Sequence, residues 1–370
     1  MLLFKGKIKS ELAKVDVITD GTRPWDIVVH DERLYSRVIL RGSIGLGEAY
    51  MDGWWDCEDI PGFFFRILRA RLHMKNKAPG QELFHWLTNL FNRQTVERSL
   101  EVGERHYDIG NDLYKAILDK RMTYTCAYWR NAKNLDEAQE HKLDLVCRKL
   151  RLKPGQHILD IGCGWGSFAK YAAEKYGVRV TGITISKEQV ALGRELCKGL
   201  PIEIKFLDYR NVDGMFDHIV SLGMFEHVGH KNYRTFMEVV ASHLKDDGLF
   251  LLHTLGANSS GIDVDPWSDK YIFPNGILPR IEHIGKAIED IFVMEDWHNF
   301  SVDYEKTLLA WYTNFEAHWG TLQRKYSKRF YRMWKYFLLC YAGAFHARDN
   351  QLWQIVLSKG GLLGGYDSVR

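Results

Sequence analysis

The spacing of apolar and polar positions divides the chain into two regimes. Over residues 1–80 it breaks into short elements separated by turn signals at Gly42, Gly45, Gly47 and Gly53, which predicts a small, mostly helical N-terminal domain. A linker-like "KNKAPG" (75–80), an amphipathic piece (82–91) and a charged one (93–105) follow, so residues 81–105 read as the connection to a larger domain, 106–370. From Lys153 onward, apolar runs of strand length alternate with stretches of helical period. The runs "HILDIG" (157–162), "VRVTGITIS" (178–186), "IEIKFLD" (202–208), "FDHIVSLG" (216–223), "GLFLLHTLG" (248–256), "FVMEDWHNF" (292–300) and "LWQIVLSK" (352–359) predict seven strands. Helices are predicted over 167–176, stopped by Gly177, and over 187–199 and 231–244, with one long helical run over 304–348. Strands alternating with helices predict an α/β domain with a doubly wound sheet: five strands joined by right-handed crossovers, then a final pair.

Composition narrows the function classes. With 46% apolar and 26% charged residues the chain is not a disordered one. No apolar stretch approaches the ~20 residues of a membrane span, and lysines at 5, 7 and 9 directly behind Leu2, Leu3 and Phe4 leave no room for a secretory signal, so a cytoplasmic address is expected. Cys57, Cys126, Cys147, Cys163, Cys197 and Cys340 form no C-x-x-C pair, which predicts neither a metal site nor a disulfide framework. The net charge is only +3 and the pI 8.4, below the values above ~9 typical of nucleic-acid-binding domains, and no nucleic-acid partner is expected. One quantity stands out: 13% of the residues are aromatic, 12 of them Trp.

Chemistry enters where the first predicted strand runs into Asp160-Ile161-Gly162-Cys163-Gly164-Trp165-Gly166 and a helix begins. Glycines there allow a tight turn and close ligand approach, and the helix start offers free N–H groups. A dinucleotide fingerprint needs G-x-G-x-x-G, and Gly166 falls one position early. An adenosyl ligand without pyrophosphate fits better, and the segment resembles the loop of S-adenosylmethionine methyltransferases. After the second strand, where such enzymes place an acid for the ribose, this chain has "TISKEQ" (184–189). Thr184, Ile185 and Gln189 are candidates to hold the ligand, while Ser186 and Gln189 also fit a capping box. Asp208 and Tyr209, at the end of the third strand, stand where adenine would lie, although a plain strand terminus fits the local pattern equally well.

Longer motifs carry a fuller resemblance. "GSIGLGEAYMDGWWDC" (42–57), "HYDIGNDLY" (106–114), "YTCAYW" (124–129), "LDIGCGWG" (159–166), "GMFEHVG" (223–229), "DVDPWSDKYIFPNG" (263–276), "EDWHNF" (295–300) and "AGAFHARDNQLWQ" (342–354) together resemble the cyclopropane-fatty-acyl-phospholipid synthase family over nearly the whole chain. The resemblance implies a class I methyltransferase fold with a helical cover. It also implies transfer of the methyl of S-adenosylmethionine to a cis double bond of a membrane phospholipid acyl chain, followed by ring closure. A bound bicarbonate would take the proton, held by Glu226, His253 and Tyr304 with backbone groups of Cys126 and Leu255, and Tyr124 and Thr125 would join the cofactor site. Taken alone, His253 among leucines reads as a core histidine and Cys126 as a small buried hydrophobe; Glu226 at a strand end is harder to place in a core. Cys340 stands one position from the family's usual cysteine, so no role passes to it.

A cytoplasmic enzyme acting on lipid would sit on the inner face of the membrane. The segment "FFFRILRARLHMKNK" (63–77) fits an anionic bilayer surface through Phe63, Phe64, Phe65, Arg66, Arg69 and Arg71. A second basic stretch, 324–335, reads equally well as a solvated helix face. The family also implies a homodimer. A related methyltransferase that closes no ring, an amine methyltransferase and a non-catalytic lipid binder remain open at this level.

Overall fold

The computed structural model describes residues 2–72, 110–258 and 265–370. The 81–105 connection, residues 73–77 of the basic segment and the first residues of "HYDIGNDLY" lie outside the described residues. The chain forms two compact units, each assembled from separate stretches. Unit 1 contains residues 2–72, 265–274 and 304–350; unit 2 contains 110–258, 275–303 and 351–370.

Unit 2 is built on a seven-stranded sheet. Its strands are β1 His157–Ile161, β2 Arg179–Thr184, β3 Ile202–Phe206, β4 Phe216–Leu222, β5 Leu244–Ala257, β6 Val293–Asn299 and β7 Asn350–Ser358, in the order β3-β2-β1-β4-β5-β7-β6. The pairs β1–β2, β1–β4, β2–β3 and β4–β5 are parallel, and β6–β7 is antiparallel. Successive residues serve opposite faces, as the pleat requires. Leu159, Ile219 and Phe250 join Phe236 and Trp353 in one core, while Ile158, Val220 and Leu249 join Phe168 and Val146 in the other. Burial on both faces explains why these strands read as near-continuous apolar runs. Helix Ser167–Tyr176 starts from Gly166 and ends at Gly177, both left-handed, as the glycine positions predict.

Unit 1 pairs Ile27–Val29 with Trp55–Cys57 and packs helices Arg33–Met51, Ile60–Arg69 and Lys328–His346 together. Two expectations are corrected here. The helical run over 304–348 is two helices, Val302–Leu322 and Lys328–His346, because the Ser327 hydroxyl caps the second by accepting from Phe330 N at 3.2 Å. Phe63 and Phe64 are interior residues: Phe63 lies 5.4 Å from Trp55 and Phe64 5.5 Å from Tyr336, ring to ring. Arg66 stacks over Trp25, and only Arg69 and Arg71 of the six residues expected at a membrane are exposed. In the second basic stretch, Arg332 stacks on Tyr50 and donates to Asp56 and to the Trp55 carbonyl.

Close helix approach in unit 1 depends on Gly343, where an added Cβ would stand 2.6 Å from the Pro61 carbonyl oxygen and 2.9 Å from Phe64 Cβ. Backbone cannot yield as a flexible side chain can, so Gly343→Val should destabilise the protein by about 2–3 kcal/mol. A urea midpoint unchanged from wild type would refute that close packing.

Candidate active site

Three segments meet at the carboxyl end of β1. Gly162, Gly164 and Gly166 all have positive φ, the region that favours glycine. A Cβ on Gly162 would stand 2.6 Å from Met224 Cβ, which brings the glycine loop against the turn 225–227 that carries Glu226. A Cβ on Gly223 would stand 2.7 Å from Thr125 Cγ2, so the "YTC" loop closes over the end of β4. The glycine loop also holds aromatic company: Trp165 Nε1 donates to Asn111 Oδ1 at 2.9 Å, and the Tyr114 ring lies 5.0 Å from both Trp165 and Tyr124.

The loop carrying Tyr124, Thr125 and Cys126 has no regular structure yet is buried at Thr123, Cys126 and Ala127. A buried irregular backbone needs polar partners, and they come from two directions. Asp119 accepts from Thr123 N at 2.7 Å and from its hydroxyl at 3.3 Å. From helix Leu135–Lys149, Gln139 Nε2 donates to the carbonyls of Thr123 and Thr125 at 3.3 and 2.8 Å, and Lys142 Nζ donates to Thr125 Oγ1 at 2.7 Å.

Glu226 and His253 face each other's strands. β4 and β5 are in register at Leu222 and His253, and Gly223 N donates to the His253 carbonyl at 2.9 Å. Glu226 Oε1 accepts from Leu255 N at 2.6 Å, while Oε2 is buried with no hydrogen-bond partner among the described residues. Gln354 Nε2 lies 3.2 Å from His253 Nδ1 and donates to it, which leaves the ring proton on Nε2; that atom too is buried without a partner. Two polar atoms from the neighbouring ends of β4 and β5, one on a carboxyl and one an N–H donor, are thus orphaned. Buried polar groups are ordinarily satisfied, so such a pair marks a place for a polar ligand.

Burial sets the charge states. It pushes Glu226 up to about 7, against the Leu255 hydrogen bond, and pushes Asp160 up to about 7 against the attraction of Lys142. His253 is held well below the usual histidine range by burial and by the charges of Lys142 and Lys149, and is neutral at pH 7. A stability consequence follows from Glu226. At low pH its carboxyl is neutral in both folded and unfolded chains; as pH rises past the ordinary value of 4.5 the unfolded chain ionises first, and folded stability falls until about pH 7. Glu226→Gln removes that loss, so the variant should be more stable than wild type at pH 8, by up to about 3 kcal/mol, with the advantage shrinking toward pH 5. Urea midpoints at the two pH values check this, and an equal advantage at both would contradict it.

Of the residues named from sequence, unit 2 brings Tyr124, Thr125, Cys126, Asp160, the three glycines, Glu226, His253 and Leu255 into this region. Tyr304 belongs to unit 1, its ring 4.7 Å from Phe345 and 6.0 Å from Trp311. Leu255 contributes its N–H to Glu226. The Ser186 cap forms, accepting from Gln189 N at 3.3 Å, but the Gln189 side chain does not complete the box: its Oε1 accepts from Thr184 Oγ1 at 2.7 Å instead. Ile185 is half-buried at the end of β2. Asp208 grips the Arg210 guanidinium at 2.7 and 2.8 Å, and Tyr209 is a packing residue, its ring 5.1 Å from Phe236. Sequence reading missed Asp119, Gln139, Lys142 and Gln354. A signal existed for two of them: Gln139 and Lys142 share the helical face of Leu135, Ala138 and Val146.

A parallel five-strand core, a final antiparallel pair in the order 3-2-1-4-5-7-6, and a glycine loop at the carboxyl end of the first strand define a class I S-adenosylmethionine-dependent methyltransferase. Within that class the chain belongs to the mycolic acid cyclopropane synthetase family, which matches residues 94–355. It is 50% identical to the cyclopropane-fatty-acyl-phospholipid synthase of Escherichia coli strain K12 over 352 residues, 94% of this chain and 92% of that one. The cyclopropane synthase MmaA2 from Mycobacterium tuberculosis has a TM-score of 0.66 at 30% identity, covering 70% of this chain and 98% of that chain. A mycolic acid cyclopropane synthase complexed with SAH and CTAB has the same TM-score at 31% identity, with coverage of 70% and 98%.

Proposed function

We propose that this protein transfers the methyl group of S-adenosylmethionine to a cis double bond in a phospholipid acyl chain and closes a cyclopropane ring. The observation that carries the reading is the pair of orphaned buried atoms, Glu226 Oε2 and His253 Nε2, on the adjoining β4 and β5 ends in a chain half identical to a cyclopropane-fatty-acyl-phospholipid synthase. The glycine loop and the Tyr124–Thr125 segment would hold S-adenosylmethionine, which would supply the methyl as an electrophile. The alkene's π electrons take the methyl as the sulfur–carbon bond breaks, leaving S-adenosylhomocysteine and a carbocation. A C–H bond of the added methyl then gives its electrons to the ring bond, and a proton must leave. Water would quench that cation, so the reaction requires its exclusion.

Bicarbonate fits the donor set: the His253 Nε2 proton can donate to one of its oxygens, and Glu226 Oε2 can exchange a hydrogen bond with another. When bound there it supplies the base that ring closure requires. Glu226 and His253 orient that base; Leu255 N–H and Gln354 fix their directions. Among the described residues of the 63–77 segment, the exposed Arg69 and Arg71 are cations that anionic lipid could engage, each contributing about 1 kcal/mol. Among the described residues, no helix is long and apolar enough to cross a membrane.

The test is incubation with S-adenosylmethionine and vesicles of monounsaturated phospholipid, followed by mass spectrometry and proton NMR of the acyl chains. A gain of one methylene with loss of olefinic signals and appearance of high-field ring protons is expected. Methylation of added amines with lipids untouched would overturn the reading.

A further inference from the structure

The buried lysine beneath the "YTC" loop has no role in the chemistry above, and its surroundings give it one. Lys142 is fully buried on helix Leu135–Lys149, and so is Lys149, two turns along the same face. The two differ in their company. Lys149 Nζ lies 3.4 Å from Asp296 and 3.2 Å from His298 Nδ1, so its charge is matched by a carboxylate. Lys142 has no carboxylate within ion-pair distance among the described residues; its hydrogen bond is to the neutral Thr125 hydroxyl at 2.7 Å. An ammonium has three protons, and a buried cation without a counter-ion is costly.

Around it stand further unsatisfied groups. Asp160 Oδ2, at the carboxyl end of β1, and Gln139 Oε1, one turn back on the helix, are buried and have no hydrogen-bond partner among the described residues. Asp119, Asp160 and the Cys126 thiol are the ionisable groups whose fields reach Lys142, and Lys142 in turn acts on His253. Because Thr125 Oγ1 accepts from Lys142, the hydroxyl proton of Thr125 is turned away from the lysine and is free to donate.

We propose that Lys142 is the counter-charge for a carboxylate-type anion held against Thr125 and Cys126, and that it fixes the Thr125 hydroxyl as a donor toward the same anion. This rests on the reading that unit 2 binds S-adenosylmethionine. Two sources share the chemistry: the α-carboxylate of the cofactor and a free anion such as bicarbonate. A buried ammonium without a counter-ion costs more than its one hydrogen bond to Thr125 returns, so an apolar side chain of similar length should not weaken the fold.

Lys142→Met keeps the length of the side chain and deletes the charge; Lys142→Arg keeps the charge. Binding of S-adenosylhomocysteine and of 5′-methylthioadenosine, which lacks the amino-acid tail, is measured by calorimetry, and turnover on vesicles is titrated with bicarbonate. Lys142→Met is expected to melt no lower than wild type. If the cofactor carboxylate is the partner, Lys142→Met loses at least tenfold in S-adenosylhomocysteine affinity and less than twofold for 5′-methylthioadenosine. If the free anion is the partner, cofactor affinity stays within twofold and the bicarbonate needed for half-maximal turnover rises at least tenfold. Lys142→Arg retains most of whichever property Lys142→Met loses. A Lys142→Met protein that fails to fold or melts lower, or one with all these quantities within twofold of wild type, overturns the proposal. Wild-type protein that does not bind S-adenosylhomocysteine would sink the methyltransferase reading itself, and wild-type turnover indifferent to bicarbonate would remove the free-anion arm, leaving the calorimetry to decide.

Discussion

Glu226→Gln should lose about 100- to 1000-fold in ring formation while binding S-adenosylhomocysteine within a few-fold of wild type. The amide has the shape of the carboxyl it replaces. Its oxygen can still accept from Leu255 N, now at 2.6 Å from Oε1, so the end of β5 keeps its anchor. The other position changes. Where Glu226 offers an oxygen that is buried and unpartnered, the variant offers an N–H group that can only donate. His253 is neutral and its Nε2 also donates, so the two orphaned positions can no longer both give and accept a proton. The glycine loop touches the Glu226 turn through Met224, whose backbone the substitution leaves alone. Turnover on vesicles and calorimetric titration, run side by side, check the separation. Equal losses in both would mean that Glu226 serves cofactor binding.

The pattern of the sheet is readable because its inner strands are buried on both faces, which makes each a short apolar run, and because Gly177 stops the first helix. From sequence, Glu226 reads as a residue at a strand end and His253 as one within the fifth strand. Why they matter is not legible there, because their meaning lies in what they lack: Leu255 N–H takes one oxygen and Gln354 one ring nitrogen, and the two remaining atoms are orphaned only in three dimensions. Lys142 illustrates the opposite difficulty. A single lysine on a helix reads as a solvent-facing charge, and only its place on the same stripe as Leu135, Ala138 and Val146 gives it away. Phe63 and Phe64 read from sequence as a membrane contact because aromatics beside arginines look the same whether the aromatic face meets lipid or the protein's own Trp55 and Tyr336. The grouping of residues 304–350 with the N-terminal stretch is a tertiary fact with no local signature. Aromatic excess, unexplained at the level of composition, resolves largely into packing around Trp55, Trp267, Trp311, Trp334 and Trp353, all almost wholly buried.

Gly162→Ala should reduce stability by about 2–4 kcal/mol, combining left-handed strain with an overpacked contact, and should impair turnover more than cofactor binding. Gly162 has a φ of +84°, and its missing Cβ would lie 2.6 Å from Met224 Cβ and 2.8 Å from its Cγ. That clash cannot be relieved by a flexible tip, because Met224 Cβ is fixed by the backbone immediately ahead of the turn 225–227. The displacement is therefore passed to Glu226, two residues on. Gly164 provides the contrast. Its φ of +55° carries the same kind of strain, about 1–2 kcal/mol, but a Cβ there meets nothing within 4 Å. Open space on that side of the loop is the side a ligand can approach, so Gly164→Ala should leave the Glu226 turn in place and act on cofactor affinity, with a smaller loss of stability than Gly162→Ala. Urea melts, S-adenosylhomocysteine titration and turnover of the two variants separate these effects. If both substitutions lower stability, affinity and turnover in the same proportions, the glycine loop is a packing device alone, and its contact with Met224 does not link cofactor binding to the Glu226 turn.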